Sequence, residues 1–136
     1  MGRYAFWILA GALIFAAWLF WSTSNDQKSA RDAYENSYAV PPLAPGAEAG
    51  RLAFNETCAT CHGRDAMGGE GGPPLIHRIY EPSHHGDDAF RLAISQGVRA
   101  HHWDFGDMPA QPGVGPEETE TIIAFVRAVQ AANGIE

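Results

Sequence analysis

The sequence predicts an all-α protein with one N-terminal membrane helix and one small soluble domain. Three observations support this prediction: a long uncharged apolar run begins at residue 5, two later segments have helical periodicity, and no segment alternates with the period of a strand. Hydrophobic residues make up 46% and charged residues 18% of the 136 residues, which is typical of a folded protein and not of a disordered one. About 91 residues remain for the soluble part, so only one domain is expected.

The N-terminal apolar run extends from Ala5 to Trp21 and carries no charge. As a helix it would be roughly 25 Å long, which is within the range of membrane-spanning helices. Aromatic residues of the kind found at membrane interfaces lie at both of its ends: Tyr4, Trp7, Trp18 and Trp21. Residues 1–21 are therefore interpreted as an anchor. The alternative is a cleaved signal peptide, because Ser22 and Ser24 provide a weak small-x-small cleavage pattern.

Residues 22–45 are predicted to form a flexible linker. They are polar at first, contain Pro41, Pro42 and Pro45 at the end, and show no periodicity that would bury one face. A flexible linker of this length reaches on the order of 27 Å, which would keep the following domain close to the bilayer. The soluble domain is then predicted to cover residues 46–136.

Both cysteines of the chain lie in the sequence Cys58-Ala59-Thr60-Cys61-His62. This C-x-x-C-H spacing is that of a c-type haem attachment site, because one helical turn presents both thiols to the two vinyl groups of one porphyrin and the histidine to its iron. A redox disulfide and half of a zinc site are the alternatives. The chain has no second cysteine pair, and no thioredoxin-like strand-helix alternation surrounds the motif. The motif therefore predicts one covalently attached haem c, with its iron, in a domain outside the cytoplasm.

Around this motif the sequence resembles the class I cytochromes c, over nearly all of residues 46–136. Gly50, Phe54 and Cys58 have the spacing of the family's first helix, where a small residue permits close crossing by the C-terminal helix. Gly72-Pro73-Pro74-Leu75 is similar to the family's Gly-Pro-x-Leu segment. The resemblance implies the class I fold around one haem, and a hydrogen bond from His62 to the carbonyl of Pro73. The alternative for the segment 71–74 is a plain loop.

The resemblance also implies the second axial ligand of the iron. Asp107-Met108-Pro109 resembles the ligand loop of short bacterial cytochromes c, and Met108 lies 46 residues after His62. Met67 lies only five residues from His62, which is too near to reach the opposite face of a porphyrin. No catalytic residue is predicted. The predicted iron ligands are His62 and Met108, and the predicted cofactor-binding residues are Cys58, Cys61, His62, Pro73 and Met108.

Two adjacent histidine pairs, His84-His85 and His101-His102, depart from the pattern of the family. One interpretation gives these histidines a structural role. The first pair would then be solvated or would cap a helix, and the second pair with Trp103 would line the haem edge and form a hydrogen bond to a propionate. Their functional interpretation is displacement of Met108 as the axial ligand, or a surface copper or zinc site. Adjacent histidines in a strand point to opposite faces, so one pair can meet a common metal only if a turn intervenes.

Two helices are predicted after the motif. Residues 87–96 have acidic residues in the first turn, apolar Phe90, Ala93 and Ile94 at helical spacing, and Gly97 after the end. The last helix is predicted to begin at Pro116 and to stop near Asn133-Gly134. Its apolar stripe consists of Ile122, Phe125, Val126 and Val129, and Phe125 is expected to meet the face that carries Gly50 and Phe54.

The charge of the chain restricts its partners. Sixteen acidic residues oppose nine basic ones, and the whole imbalance of -7 lies in residues 46–136. A phosphate backbone would repel such a surface, so no nucleic acid partner is expected.

The sequence predicts a membrane-tethered one-electron carrier and not an enzyme. It would pass electrons between extracytoplasmic redox partners with a basic docking face, in a respiratory or photosynthetic chain. The predicted location is the cytoplasmic membrane, single-pass, with the haem domain on the periplasmic side. The alternative is a haem-containing copper-binding or redox-sensing module that uses the histidine pairs.

Overall fold

The computed structural model describes residues 2–35 and 37–136, without the side chains of residues 2–6, 27 and 30–35. Two compact units are present, Met1–Ser37 and Tyr38–Glu136. The interfacial side chain predicted for Tyr4 lies outside the described side chains.

The first unit is a single helix, α1, which extends over Gly2–Glu35. It includes a stretch that is long and apolar enough to cross a membrane, Trp7–Asp26, with a mean hydropathy of 1.5 over its 20 residues. Its large apolar side chains, from Trp7 to Trp21, are exposed around the helix. A helix that is apolar on all sides is typical of a membrane span. The stretch largely coincides with the predicted run from Ala5 to Trp21.

The structure differs from the predicted flexible linker over residues 22–35, which continue α1 as a helix. The hydroxyl groups of Ser22, Thr23 and Ser24 donate hydrogen bonds of 2.8 to 3.1 Å to the carbonyls of Leu19 and Phe20, one turn earlier. These polar residues therefore satisfy their hydroxyls within the helix. The segment also contains no proline or glycine, and the first proline of the chain is Pro41.

The second unit is built from four helices and irregular segments. The helices are α2 (Pro45–Thr57), α3 (Ala59–His62), α4 (Asp87–Gln96) and α5 (Pro116–Ala132). Two short 3₁₀ helices cover Arg64–Ala66 and Arg78–Tyr80. Within the described residues the extended pairing is one antiparallel bridge, between Val98 and Met108. The predicted all-α class is confirmed, and α4 has the predicted bounds.

Helices α2 and α5 cross closely at Gly50. A β-carbon at Gly50 would lie 1.8 Å from the carbonyl oxygen of Thr121, so only glycine permits this approach. One turn further along α2, the ring of Phe54 packs on Phe125 at 5.5 Å between centroids, and both side chains are buried. The predicted contact of Phe125 with the Gly50–Phe54 face is therefore present. The crossing fixes the direction in which α2 delivers the cysteine motif.

The second unit begins before the predicted domain start at residue 46. Ala39 and the side chain of Asn133 exchange two hydrogen bonds of 2.9 Å, with Ala39 N–H donating to Oδ1 and Nδ2 donating to the Ala39 carbonyl. Tyr38, Val40 and Leu43 pack against the core that α2 and α5 share. Residues 38–45 are therefore part of this unit and not of a free linker.

Candidate functional site

The cysteine motif begins with Cys58, between α2 and α3, and its other four residues form α3. The amide of His62 donates a hydrogen bond of 2.9 Å to the carbonyl of Cys58, so both residues lie on one helical turn. The side chain of Cys58 is half-buried, and burial, aided by the charge of Glu118, raises the pKa of its thiol to about 11. Cys61 is exposed, and its sulfur would lie 3.3 Å from a β-carbon on Gly71. Glycine at position 71 therefore permits the close approach of this loop to the Cys61 sulfur.

The imidazole of His62 has one free nitrogen. Its Nδ1 lies 2.9 Å from the carbonyl oxygen of Pro73, and a carbonyl can only accept, so Nδ1 carries the proton and Nε2 has the lone pair. Burial lowers the pKa of His62, against the opposing effect of this hydrogen bond. A β-carbon on Gly72 would lie 3.2 Å from Nδ1, so the Gly72-Pro73 backbone approaches the ring closely. A neutral, oriented imidazole is what a metal ligand requires.

The loop after His62 is held by an ion pair with α2. Asp65 accepts two hydrogen bonds from the guanidinium of Arg51, at 2.8 and 3.1 Å, and one of 2.8 Å from Asn55. Burial works against ionisation of Asp65, but these hydrogen bonds outweigh it and lower its pKa. Asp65 and Ala66 have positive φ values of 55° and 68° in this turn. The ion pair therefore stabilises an otherwise unfavourable turn directly behind the cysteine motif.

A cavity of about 550 Å³ lies beside the motif, and apolar side chains form most of its wall. Four of the five predicted cofactor-binding residues line it, namely Cys58, His62, Pro73 and Met108, whereas Cys61 does not. Phe54, Phe90, Ile94 and Ile122 extend the apolar wall toward the core. The cavity therefore combines an apolar interior with thiol, imidazole and thioether groups at its surface.

The two internal methionines have different surroundings. Met108 lines the cavity, and its backbone pairs with Val98 through two hydrogen bonds of 2.9 Å. A β-carbon on Gly97 would lie 2.4 Å from the Met108 carbonyl oxygen, so this pairing needs glycine at position 97. Met67 is buried in the core and is not among the residues that line the cavity. Of the two thioethers, Met108 is therefore the one available to a group in the cavity.

Trp103 contributes a polar group to the same cavity wall. Its Nε1–H is the one buried side-chain nitrogen or oxygen group of the described residues that has no hydrogen-bond partner. Burial raises the pKa of the nearby Tyr80 hydroxyl, and the indole N–H of Trp103 opposes this effect. An unsatisfied buried donor is costly, so it indicates an acceptor in the cavity. The donor, the free Nε2 of His62 and the thioether of Met108 together fit a haem with its propionates.

The two histidine pairs converge beside the cavity. Ring centroids lie 4.6 Å apart for His84 and His85, 4.3 Å for His101 and His102, and 5.3 Å for His85 and His102. His85, His101 and His102 line the cavity, as the structural interpretation of the second pair expected. Burial and the charges of the other three histidines lower the pKa of His102. The pairs are therefore one cluster. The sequence suggested a copper or zinc site for them as an alternative, but α4 separates the two loops, so the sequence did not show that the pairs meet.

Two residues of α5 that sequence analysis did not single out hold the segment between residues 75 and 85. Gln130 is fully buried, and its amide donates to the carbonyls of Leu75 and Tyr80 at 2.8 and 3.0 Å. Arg127 donates to the carbonyls of Tyr80 and His85 at 2.8 and 2.5 Å. The sequence does show two polar residues at the end of the apolar stripe of α5. It does not show what they bind, because the backbone partners of Arg127 and Gln130 are 42 to 55 residues away in the chain.

Comparisons with known proteins identify the family of the chain. The model of the Cytochrome c family matches residues 47–130. The cbb3-type cytochrome c oxidase subunit CcoP of Azospirillum sp. (strain B510) is 36% identical over 66 residues. That similarity covers 48% of this chain and 21% of the relative, so the chain corresponds to only about a fifth of the length of that protein. No solved structure matches the chain significantly.

Proposed function

The chain belongs to the cytochrome c family and carries covalently bound haem c, and on this premise we propose that it is a membrane-tethered one-electron carrier between extracytoplasmic redox partners. One observation carries the proposal: Cys58, His62 and Met108 line the same apolar cavity, and the hydrogen bond from Nδ1 of His62 to the Pro73 carbonyl leaves Nε2 free to bind iron. The residues supply attachment, one imidazole ligand and one thioether ligand. Bound haem supplies a single electron site, because its iron alternates between Fe(III) and Fe(II).

In this proposal each side chain has a defined role. Cys58 and Cys61 retain the cofactor through thioethers, and His62 binds through Nε2 while Pro73 keeps its ring oriented. Met108 would be the second iron ligand, and its soft, neutral sulfur would favour the reduced state. Trp103 would donate a hydrogen bond to a propionate of the bound haem. The apolar wall excludes water, which further disfavours the extra positive charge of the oxidised state.

A carrier, unlike an enzyme, needs no open coordination position. With His62 and Met108 both bound, a small molecule reaches the iron only if one ligand leaves. The reduced wild-type protein should therefore resist carbon monoxide at concentrations that saturate a Met108→Ala variant. Equal carbon monoxide binding by wild type and variant would contradict the role of Met108 and favour a ligand-binding or sensing function.

The location is proposed from the chemistry of the motif and the length of α1. Thioether formation takes place outside the cytoplasm, so an uncleaved α1 must have its N-terminus inside and its haem domain on the periplasmic side. Protease added to intact spheroplasts should degrade the haem domain. Protection of that domain until the cells are lysed would contradict this orientation. An N-terminal sequence beginning beyond Ser22 would instead indicate a cleaved signal peptide.

The similarity to a subunit of a cytochrome c oxidase supports a respiratory chain over a photosynthetic one. The second unit has 13 acidic residues and 6 arginines, so we expect its redox partners to present basic docking faces.

The experiment that tests the function is a redox titration of the haem band in membranes that contain the full-length protein. The result expected is a reversible transfer of one electron per haem, with oxidation by the membrane's own terminal oxidase. A haem that the membranes neither reduce nor oxidise would contradict the proposal.

A further inference from the structure

The histidine cluster supplies no iron ligand in the proposed electron carrier, and three of its side chains lie close enough together to hold a metal ion. One nitrogen from each of His84, His85 and His102 can be chosen so that all three lie within 4.8 Å of one another. We propose that these three residues bind one divalent transition-metal ion, of the kind that prefers imidazole ligands, such as Cu²⁺ or Zn²⁺. His85 and His102 also line the haem cavity, so this ion would lie at the edge of that cavity, as a second metal besides the haem iron.

A turn makes the convergence of the adjacent pair possible. The amides of His84 and His85 both donate to the carbonyl of Glu81, at 3.0 and 2.8 Å. In a strand the two side chains would point to opposite faces, but in this turn their rings lie edge to face at 4.6 Å between centroids. The condition for a common metal, an intervening turn, is therefore met. His102 approaches from the loop after α4, with its ring centroid 5.4 Å from that of His84.

The hydrogen bonds around the cluster leave the required lone pairs free. Nδ1 of His85 lies 2.6 Å from the carbonyl oxygen of Ile79, so it must donate, and Nε2 is left as the potential ligand. Nδ1 of His101 is engaged in the same way by the carbonyl of Arg99, at 2.8 Å. A backbone carbonyl behind the ring is the usual support of a metal-binding histidine, since it fixes the tautomer and raises the basicity of the other nitrogen.

The turn that carries His84 and His85 is also held in place by a side chain of α5. Arg127 donates to the carbonyl of His85 and to the carboxylate of Asp87, at 2.5 and 2.8 Å. Its guanidinium stacks over the ring of Phe90, 4.8 Å from the centroid. The position of His85 is thus determined by contacts with a packed helix and not by the loop alone. A preformed arrangement of this kind loses less conformational entropy when it binds an ion.

The composition of the ligand set indicates the class of ion. Three neutral imidazoles suit Cu²⁺ and Zn²⁺, whereas Ca²⁺ and Mg²⁺ prefer oxygen ligands. His84 and His102 are exposed, so the site is accessible from solvent and can complete its coordination with water. Three protein ligands with an open position are sufficient for either ion.

The test uses full-length, haem-loaded protein in detergent, freed of other metals by a chelator. Zn²⁺ is titrated calorimetrically, because it does not exchange electrons with the haem, and Cu²⁺ is followed by electron paramagnetic resonance. The wild type should bind one equivalent of either ion, with the hyperfine pattern of several nitrogen ligands for Cu²⁺. His84→Gln and His102→Gln should each weaken binding by about 100-fold, because even an outer-shell change costs about 10- to 100-fold.

The matched control is His77→Gln, which removes a histidine that lies outside the cluster and packs against Trp103. It should bind metal as the wild type does. The absence of stoichiometric binding by the wild type would overturn the proposal, as would wild-type affinity in both His84→Gln and His102→Gln. The haem content and midpoint potential of the same samples report separately on the electron carrier. A failed metal site with a normal haem would leave that function standing.

Discussion

At the scale of single residues, the two cysteines and the adjacent histidine should contribute differently to haem retention. His62 can bind iron only reversibly, whereas Cys58 and Cys61 hold the porphyrin through covalent bonds. A Cys58→Ala, Cys61→Ala double variant should therefore lose haem-dependent peroxidase staining on a denaturing gel. Thr60→Ala, in the same turn, is the control and should keep it. Full staining of the double variant would contradict covalent attachment at this motif.

Asp65 should make the stability of the second unit depend on pH. Its folded-state pKa is lowered by Arg51 and Asn55, so its contribution is complete above the unfolded pKa of about 4 and is lost as the pH falls through the folded pKa. Asp65→Asn should lower the free energy of unfolding by about 2 kcal/mol at pH 7. The difference from wild type should shrink below about pH 4.

This prediction is checked by urea unfolding of a soluble, haem-loaded chain that begins at Tyr38, at a series of pH values. Asp104→Asn, which changes an exposed carboxylate, is the matched control and should have little effect. A loss of stability in Asp65→Asn that is the same at pH 3 and pH 7 would show that the ion pair with Arg51 is not its cause.

At the scale of secondary-structure elements, the N-terminal boundary of the second unit can be tested directly. Residues 38–45 make two hydrogen bonds to Asn133 and contribute Tyr38, Val40 and Leu43 to the core surface. A haem-loaded fragment of residues 38–136 should therefore exceed a fragment of residues 46–136 in unfolding free energy, by about 2 kcal/mol.

Asn133→Ala separates the hydrogen bonds from the other contacts of this segment. The substitution should destabilise the longer fragment more than the shorter one, because only the longer one contains Ala39. Equal stability of the two fragments would place the boundary of the folded unit at residue 46, where the sequence alone had placed it.

The elements also show which features a sequence can predict. Helices α4 and α5 were predictable because local signals agreed: acidic first turns, apolar residues at helical spacing, Pro116 at the start of α5 and Gly97 after α4. The helical continuation through residues 22–35 was not, because a polar segment without periodicity has only weak propensity signals. The contacts of Arg127 and Gln130 were not predictable either, since their partners are backbone carbonyls of remote loops.

Some residues of the candidate site were likewise predictable from the sequence, and others were not. Cys58, Cys61, His62, Pro73 and Met108 were indicated by spacing and by resemblance to a family. The histidine cluster needed the fold, because α4 separates its two pairs and a turn that no local signal specified brings the rings of His84 and His85 together. The unsatisfied indole of Trp103 is likewise a property of packing and not of sequence.

At the scale of the whole molecule, the excess of acidic residues should govern encounters with redox partners. Unlike charges speed association, and salt screens them with a Debye length that falls from roughly 30 to 7 Å between about 10 and 200 mM. The bimolecular electron-transfer rate of the soluble 38–136 fragment with a cationic acceptor should therefore fall over this range. An uncharged acceptor is the control. A rate that stays flat or rises would show that the acidic residues lie away from the docking face.

The central claim is that the iron of a one-electron carrier is held between His62 and Met108. It is tested most directly by the midpoint potential of the full-length, haem-loaded protein, measured for wild type, Met108→Leu and Met67→Leu. Both substitutions remove a thioether at nearly constant volume, but only Met108 lines the cavity, whereas Met67 lies in the core. Met108→Leu should keep its covalent haem and lower the potential by on the order of 100 mV, with Met67→Leu close to wild type. An unchanged potential and spectrum in Met108→Leu would contradict the claim.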